Sequence, residues 1–190
     1  SITLEDIQQQ PEPKEGFYWI DVTEPSSHEL TELEAVLKLH PLTVEDVKHN
    51  RHRPSVEEYD EHLFVVLPWL NVKSNNKPIA TNEAKVMNVS YDITTLYIFC
   101  NERFIVTVQK STLNNFVGVR NRCEKEIELS KLGTGFVLYA LIDYVVDGYM
   151  PIIDSLEDQI DRIDATYFMD MSAQKLHDLH AIKQHSMRLK

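Results

Sequence analysis

The run from Lys85 to Gln109, KVMNVSYDITTLYIFCNERFIVTVQ, decides what kind of fold this chain adopts. Its first part, to Cys100, is dense in β-branched and aromatic residues and alternates in part, the pattern of a strand with a buried face. Asn101-Glu102-Arg103 supplies a turn, and Phe104–Gln109 returns as the hairpin partner. Upstream, Asn71–Asn82 is a polar loop, and before it Ser55–Tyr59 and His62–Leu70 read as strands joined tightly through Asp60 and Glu61. Arg51–Pro54 is a polar break. Further out, Phe17–Val22 (FYWIDV) is a short aromatic and β-branched strand that follows a polar lead-in over residues 1–16.

Helices fill the remaining segments. Ser26-Ser27-His28-Glu29 has the capping-box pattern, a hydroxyl at the cap and a carboxylate three residues on. Leu30, Leu33 and Leu37 then recur at helical spacing, which predicts a helix to about Leu39. Pro41 suits the first turn of a second, short helix carrying Val44, Glu45, Asp46 and Val47. After Thr112 the period changes: Phe116, Val119, Cys123 and Ile127 follow helical spacing, and Phe136–Tyr149 is apolar nearly all round, the signature of a buried helix. Ile153, Leu156, Ile160, Ile163 and Tyr167 form a heptad-type seam on an otherwise acidic surface, with Arg162 the only base between Asp154 and Asp170. Ser172 caps a further helix with Leu176, Leu179, Ile182 and Leu189. The expected organisation is an α/β body over residues 1–150 and an acidic helical hairpin over 151–190. Lys190 carries no stop signal, so the chain is expected to be cut from something longer.

Composition excludes several functions. The 190 residues carry 30 acidic against 19 basic side chains, a formal net charge of −11. Nucleic-acid binding needs the opposite sign, so no nucleic-acid partner is expected. The acidic balance fits cation binding or plain solubility. Five glycines and no GxGxxG or GxxxxGK[ST] pattern leave no phosphate-cradling loop. No HExxH or GxSxG pattern occurs, so the chain is read as not an enzyme. Cys100 and Cys123 do not pair as CxxC and read as buried free thiols of a reducing compartment. No signal peptide is visible at Ser1–Gln10, and no stretch approaches the roughly 20 apolar residues of a membrane span.

Four blocks between Trp19 and Leu67 occur in one order: Trp19-Ile20-Asp21-Val22, His40-Pro41-Leu42-Thr43-Val44-Glu45-Asp46, Arg53-Pro54-Ser55-Val56-Glu57 and His62-Leu63-Phe64-Val65-Val66-Leu67. A fifth, Tyr139-Ala140-Leu141-Ile142-Asp143-Tyr144-Val145-Val146-Asp147, lies downstream. Together they resemble the CorA family of magnesium and cobalt channels, from about Phe17 onward. The resemblance implies a three-layer α/β/α domain with a mixed, largely antiparallel sheet, then a helical hairpin. It also implies the cytoplasmic side of the cell (inner) membrane, a homopentamer, and membrane attachment through a stalk and pore helices beyond Lys190. Mg2+, with Co2+ or another divalent cation, is the implied transported and regulatory ion. Two alternatives stand beside this: the same domain of a zinc-transporting relative, and a soluble acidic binding module with no transport role.

The resemblance implies a metal site at Glu45, Asp46 and Asp143, with a further acid beyond Lys190. Mg2+ takes oxygen ligands and gives up water reluctantly, so a few convergent carboxylates suffice. Each residue also has a plainer reading. Acids near a helix start are favoured by the macrodipole alone, and an acid in an apolar helix such as Asp143 needs a partner of some kind. The acidic face of Asp154, Glu157, Asp158, Asp161 and Asp164 is either a cation-attracting surface or a solvated helix face. His49 with His52, and His177 with His180 and His185, have spacings that suit zinc but lack the accompanying ligands.

Overall fold

The computed structural model describes residues 16–50, 53–73, 90–110, 116–126 and 131–167. Strands β1 (Tyr18–Thr23), β2 (Ser55–Glu58), β3 (Leu63–Lys73), β4 (Ser90–Cys100) and β5 (Phe104–Gln109) form one sheet in the order β1-β5-β4-β3-β2. β4 and β5 pair antiparallel, as do β2 and β3, whereas β1 runs parallel to β5 with Tyr18 opposite Phe104. The sheet is mixed and largely antiparallel, as expected. β3 continues to Lys73, into the expected polar loop; residues 85–89 of the β-rich run lie outside the described residues.

Helix α1 (Ser27–Leu37) starts where the capping box places it. The Glu29 amide donates to Ser26 Oγ at 3.2 Å, and the Ser26 amide donates to Glu29 Oε2 at 2.7 Å. The helix ends two residues short of expectation because Lys38 turns left-handed (φ 54°) and its amide bonds back to Glu34. A Ser26→Ala variant should lose about 1 kcal/mol. The check is a lower urea midpoint at unchanged m-value; an unchanged midpoint would show that solvent satisfies the helix start equally well.

Strand alternation sends side chains to two covered faces. On one face, Leu30, Leu33 and Leu37 of α1 and Val44 and Val47 of α2 (Pro41–Lys48) pack with Phe64, Val66, Tyr97, Phe99, Phe104, Val106 and Val108. The opposite positions, Val65, Trp69, Leu96, Ile98 and Ile105, are equally buried. Trp69 shows what covers them: it stacks on Phe116, at the start of α3 (Val117–Lys125), and meets Tyr144 of α4 (Thr134–Asp147) edge-on. A sheet buried on both sides between helices is the three-layer arrangement. All six residues of β5 are buried accordingly.

Two expectations about the C-terminal helices need correction. α4 is not buried all round: Phe136, Val137, Ala140, Leu141 and Val145 are buried, but Tyr139, Tyr144 and Val146 are exposed. A fourteen-residue helix lying on a sheet covers it with one face only, so part of its apolar surface stays at the edge of the core or outside it. Second, residues Thr134–Asp158 do reach spanning length: 25 residues, with a most apolar window of mean hydropathy 1.5. Core helices satisfy the same criterion; α5 (Met150–Tyr167) follows α4 in the chain after Gly148-Tyr149. Along α5, Ile152 and Leu156 are buried while Ile153 and Ile160 are exposed. Ile163 and Tyr167 of the seam, and the helix from Ser172, lie outside the residues whose side chains are described.

The described residues fall into two compact units, one within residues 1–71 and 92–147 and the other within 72–91 and 148–190. Both cysteines are free; Cys100 is buried, whereas Cys123 is only half-buried.

Candidate functional site

α2 carries two of the three expected metal residues. Pro41 occupies its first turn, and the His40 imidazole caps it, Nδ1 accepting from the Leu42 amide at 3.3 Å. Val44 and Val47 face the core. Their burial turns Glu45 outward and leaves Asp46 half-buried on the flank. Glu45 Oε1 lies 3.8 Å from His49 Nδ1, one turn on, with both side chains mostly exposed. Such a pair contributes little to stability. Asp46 lies close enough to Tyr97 for its charge to act on the phenol, whose pKa is pushed up to about 12, mainly by burial.

Asp143, on α4, has the partner that an acid in an apolar helix needs. Arg122 of α3 donates from Nη1 to Asp143 Oδ2 at 2.6 Å. The same guanidinium faces Glu126 Oε1 at 3.4 Å from Nε and lies over the Tyr139 ring, 5.4 Å from its centroid. The hydrogen bond to Asp143 holds the Arg122 pKa above its usual value. The arginine is therefore a permanent cation at this spot. Sequence reasoning missed Arg122: the pairing crosses two helices, and only its i,i+4 relation to Glu126 is visible locally.

A second acid of the same sheet unit is structural. Asp21 Oδ1 accepts from Thr107 Oγ1 at 2.8 Å, and Oδ2 faces Arg120 Nη2 at 3.1 Å. Arg120 in turn lies over the Trp19 ring. Burial raises the Asp21 pKa despite these partners. The cluster ties β1 to β5 and α3, which accounts for the polar residue inside FYWIDV.

On the α1–α2 face a cavity of about 380 Å³ is lined by His40, Tyr59, Asp60 and His62, among others. The rings of His40, Tyr59 and His62 stack in sequence, at 4.5 and 5.5 Å between centroids. His62 is 4% exposed, and neither ring nitrogen has a hydrogen-bond partner among the described residues. Burial, with His40 nearby, lowers its pKa from 6.5, so the imidazole is neutral at pH 7.

Carboxylate oxygens at Glu45, Asp46 and Asp143 are the right donor type for a hard divalent cation. Their number and placement do not make a closed site. Among the described residues no three His, Cys, Asp or Glu side chains converge to hold a metal ion, and Asp143 is already engaged by Arg122. Of the histidine pairs, His49 is beside Glu45, while His52, His177, His180 and His185 lie outside the described residues. Asp154, Glu157, Asp158 and Asp161 are all exposed; Asp164 is not among the described side chains.

Residues 14–190 match the family of CorA-like Mg2+ transporter proteins. The chain belongs to this family. Membership makes it part of a family of transporters rather than enzymes. YfjQ of Bacillus subtilis is 28% identical over 164 residues, covering 86% of this chain and 46% of the relative. The cobalt/magnesium transport protein CorA of Thermotoga maritima is 24% identical over 153 residues, covering 80% of this chain and 40% of the relative. The chain thus spans less than half the length of these curated relatives. The fold matches the soluble domain of CorA from Methanocaldococcus jannaschii with a TM-score of 0.56 at 19% identity, over 93% of this chain and 62% of that one. In this CorA-like chain the HPLTVED segment is the His40 cap and the first six residues of α2, and the YALIDYVVD segment is the C-terminal nine residues of α4.

Proposed function

We propose that this chain is the cytoplasmic, metal-responsive part of a CorA-type divalent-cation transporter, with residues 1–150 as its α/β/α body and 151–190 as an acidic helical arm. The family match over residues 14–190 carries this reading. Mg2+ is the expected ion, with Co2+ or another divalent cation as a second substrate. The whole protein is a homopentamer at the inner membrane, attached through segments beyond Lys190.

Regulation follows from charge. Glu45 and Asp46 lie on a short helix with exposed or half-exposed carboxylates, available to a neighbouring subunit. Carboxylates brought together from two subunits repel, and a divalent cation between them removes that repulsion and favours the closed assembly. Falling cytoplasmic metal restores the repulsion and shifts the population toward the open one. Glu45, Asp46 and Asp143 are this chain's contribution.

The test is metal-dependent thermal stabilisation of the full-length protein in millimolar Mg2+. A ligand at a hundred times its Kd stabilises by about 2.7 kcal/mol. Asp46→Asn together with Asp143→Asn should remove most of that shift; a double variant that keeps it fully places the site elsewhere. Flux of Mg2+ against Zn2+ through the same protein separates the magnesium reading from a zinc-transporting one.

A further inference from the structure

We propose that the ring column His62–Tyr59–His40 is a proton-operated latch on the start of α2: with both imidazoles neutral it holds the first helical turn, and protonation releases that turn.

The column joins the sheet to the helix. Its inner end, His62, tilts against Phe99 of β4, 5.7 Å between ring centroids. Tyr59 stacks on His62 at 5.5 Å, and His40 stacks on Tyr59 at 4.5 Å. The tyrosine is itself fixed: its hydroxyl donates to Glu57 Oε2 at 2.7 Å, and its amide donates to the His62 carbonyl at 2.9 Å. At the outer end His40 holds the first turn in two ways. Its carbonyl accepts from the Thr43 amide at 3.0 Å and from the Thr43 hydroxyl at 2.6 Å, and its Nδ1 accepts from the Leu42 amide at 3.3 Å. Pro41 has no amide hydrogen, so Leu42 offers the first N–H that the helix leaves without an internal partner.

A proton breaks this arrangement at either end. An Nδ1 that accepts from Leu42 carries no hydrogen, whereas an imidazolium has N–H on both nitrogens and accepts nothing. Its charge would also face the positive end of the helix dipole. At the inner end the proton charges a ring that is 4% exposed and has no hydrogen-bond partner among the described residues. Charged His62 gains by moving toward water, and that movement disturbs the tyrosine on which His40 rests. The charged groups beside the column are Lys38, just past α1, and Glu58, Asp60 and Glu61 at the β2–β3 turn, which line the same cavity. Glu61, itself 3.7 Å from Arg103, favours a proton on His62, but burial and His40 oppose it. The imidazole therefore stays neutral until the pH falls below 6.5. Release is local, because Val44 and Val47 remain in the core behind the first turn. Any consequence for Glu45 and Asp46 rests on the metal reading of those acids; release of the turn does not.

The experiment uses the full-length protein in its native assembly, without metal. It reads amide hydrogen exchange of residues 42–48 against residues 134–147, a helix with no histidine. The ratio cancels the chemical pH dependence of exchange and leaves local opening. From pH 7.5 to 5.5 it should rise roughly fivefold, the population change that loss of one helix cap brings. His40→Asn keeps a cap that does not titrate, and His62→Phe keeps the column without its inner proton. Each should reduce the rise, and the two together should abolish it. His49→Gln, at the other end of α2, should leave it in place. An unchanged ratio in the parent overturns the latch. So does a rise that survives in full in either single variant or in the double one, or a rise that His49→Gln abolishes. Since the turn is read without metal, failure of the metal reading leaves this test standing.

Discussion

A Phe64→Ala variant should lose about 3–5 kcal/mol, the cost of emptying a large aromatic site in a packed core. For a chain of this size that is a fall in Tm on the order of 10 °C. Phe64 is fully buried and sits between Tyr97 and Phe99, 6.3 and 4.9 Å away between ring centroids. It lies in the cluster where α1 and α2 meet the sheet. Collapse around the gap is hindered because its neighbours are held by β4, in the middle of the sheet. The consequence extends to function, because α2 carries Glu45 and Asp46 and rests on this cluster through Val44 and Val47. The variant should therefore also blunt the response to Mg2+. Calorimetry and Mg2+ titration of the same sample test both parts. A loss below about 1 kcal/mol would mean the aromatic layer repacks freely.

The second large effect is a sensitivity to acid centred on His62. Its folded pKa lies below 6.5, whereas an unfolded imidazole titrates near 6.5. Above that value both states are neutral and the group contributes no pH dependence. As pH falls below it, the unfolded chain takes up the proton first, so stability declines until the folded pKa is passed. A charged imidazole that is 4% exposed and without a hydrogen-bond partner among the described residues is the physical cause. His62→Phe keeps an aromatic ring against Tyr59 and Phe99 and removes the proton. Its loss of stability between pH 7.5 and 5.5 should be clearly smaller than the parent's, measured by denaturant midpoints at each pH. Parallel curves for the two proteins would show that His62 does not carry the effect.

What was legible in the sequence was local. The Ser26–Glu29 box, proline at the start of α2 and the Asn101 turn each depend on a few adjacent residues, and each stands where the pattern places it. Pairing between distant segments was not legible. Nothing in FYWIDV says that β1 runs parallel to β5, because a strand buried on one side reads alike in either direction. The apolar sequence of α4 concealed a helix with an exposed aromatic flank, since composition does not record which side meets solvent. At the candidate site, the acids were found by their blocks and their helical setting, but Arg122 was not. Its partner is on another helix, and the arginine alone reads as one more surface base. The need for a partner at Asp143 was visible; its identity required the packing of α3 on α4.

The pairing of β1 has a consequence in time. Trp19 reaches Thr107 across 88 residues of chain, and among the described strands β1 pairs with β5 alone. A ribosome adding about 5–20 residues per second needs roughly 5–20 s to make the intervening stretch. Throughout that interval an aromatic strand waits with its backbone unpaired, while α1, α2 and the β2–β3 hairpin find partners nearer in sequence. β1, made before the other strands of this sheet, is thus set to join it after β5, and nascent chains of this protein should be most prone to wrong strand pairing in that interval.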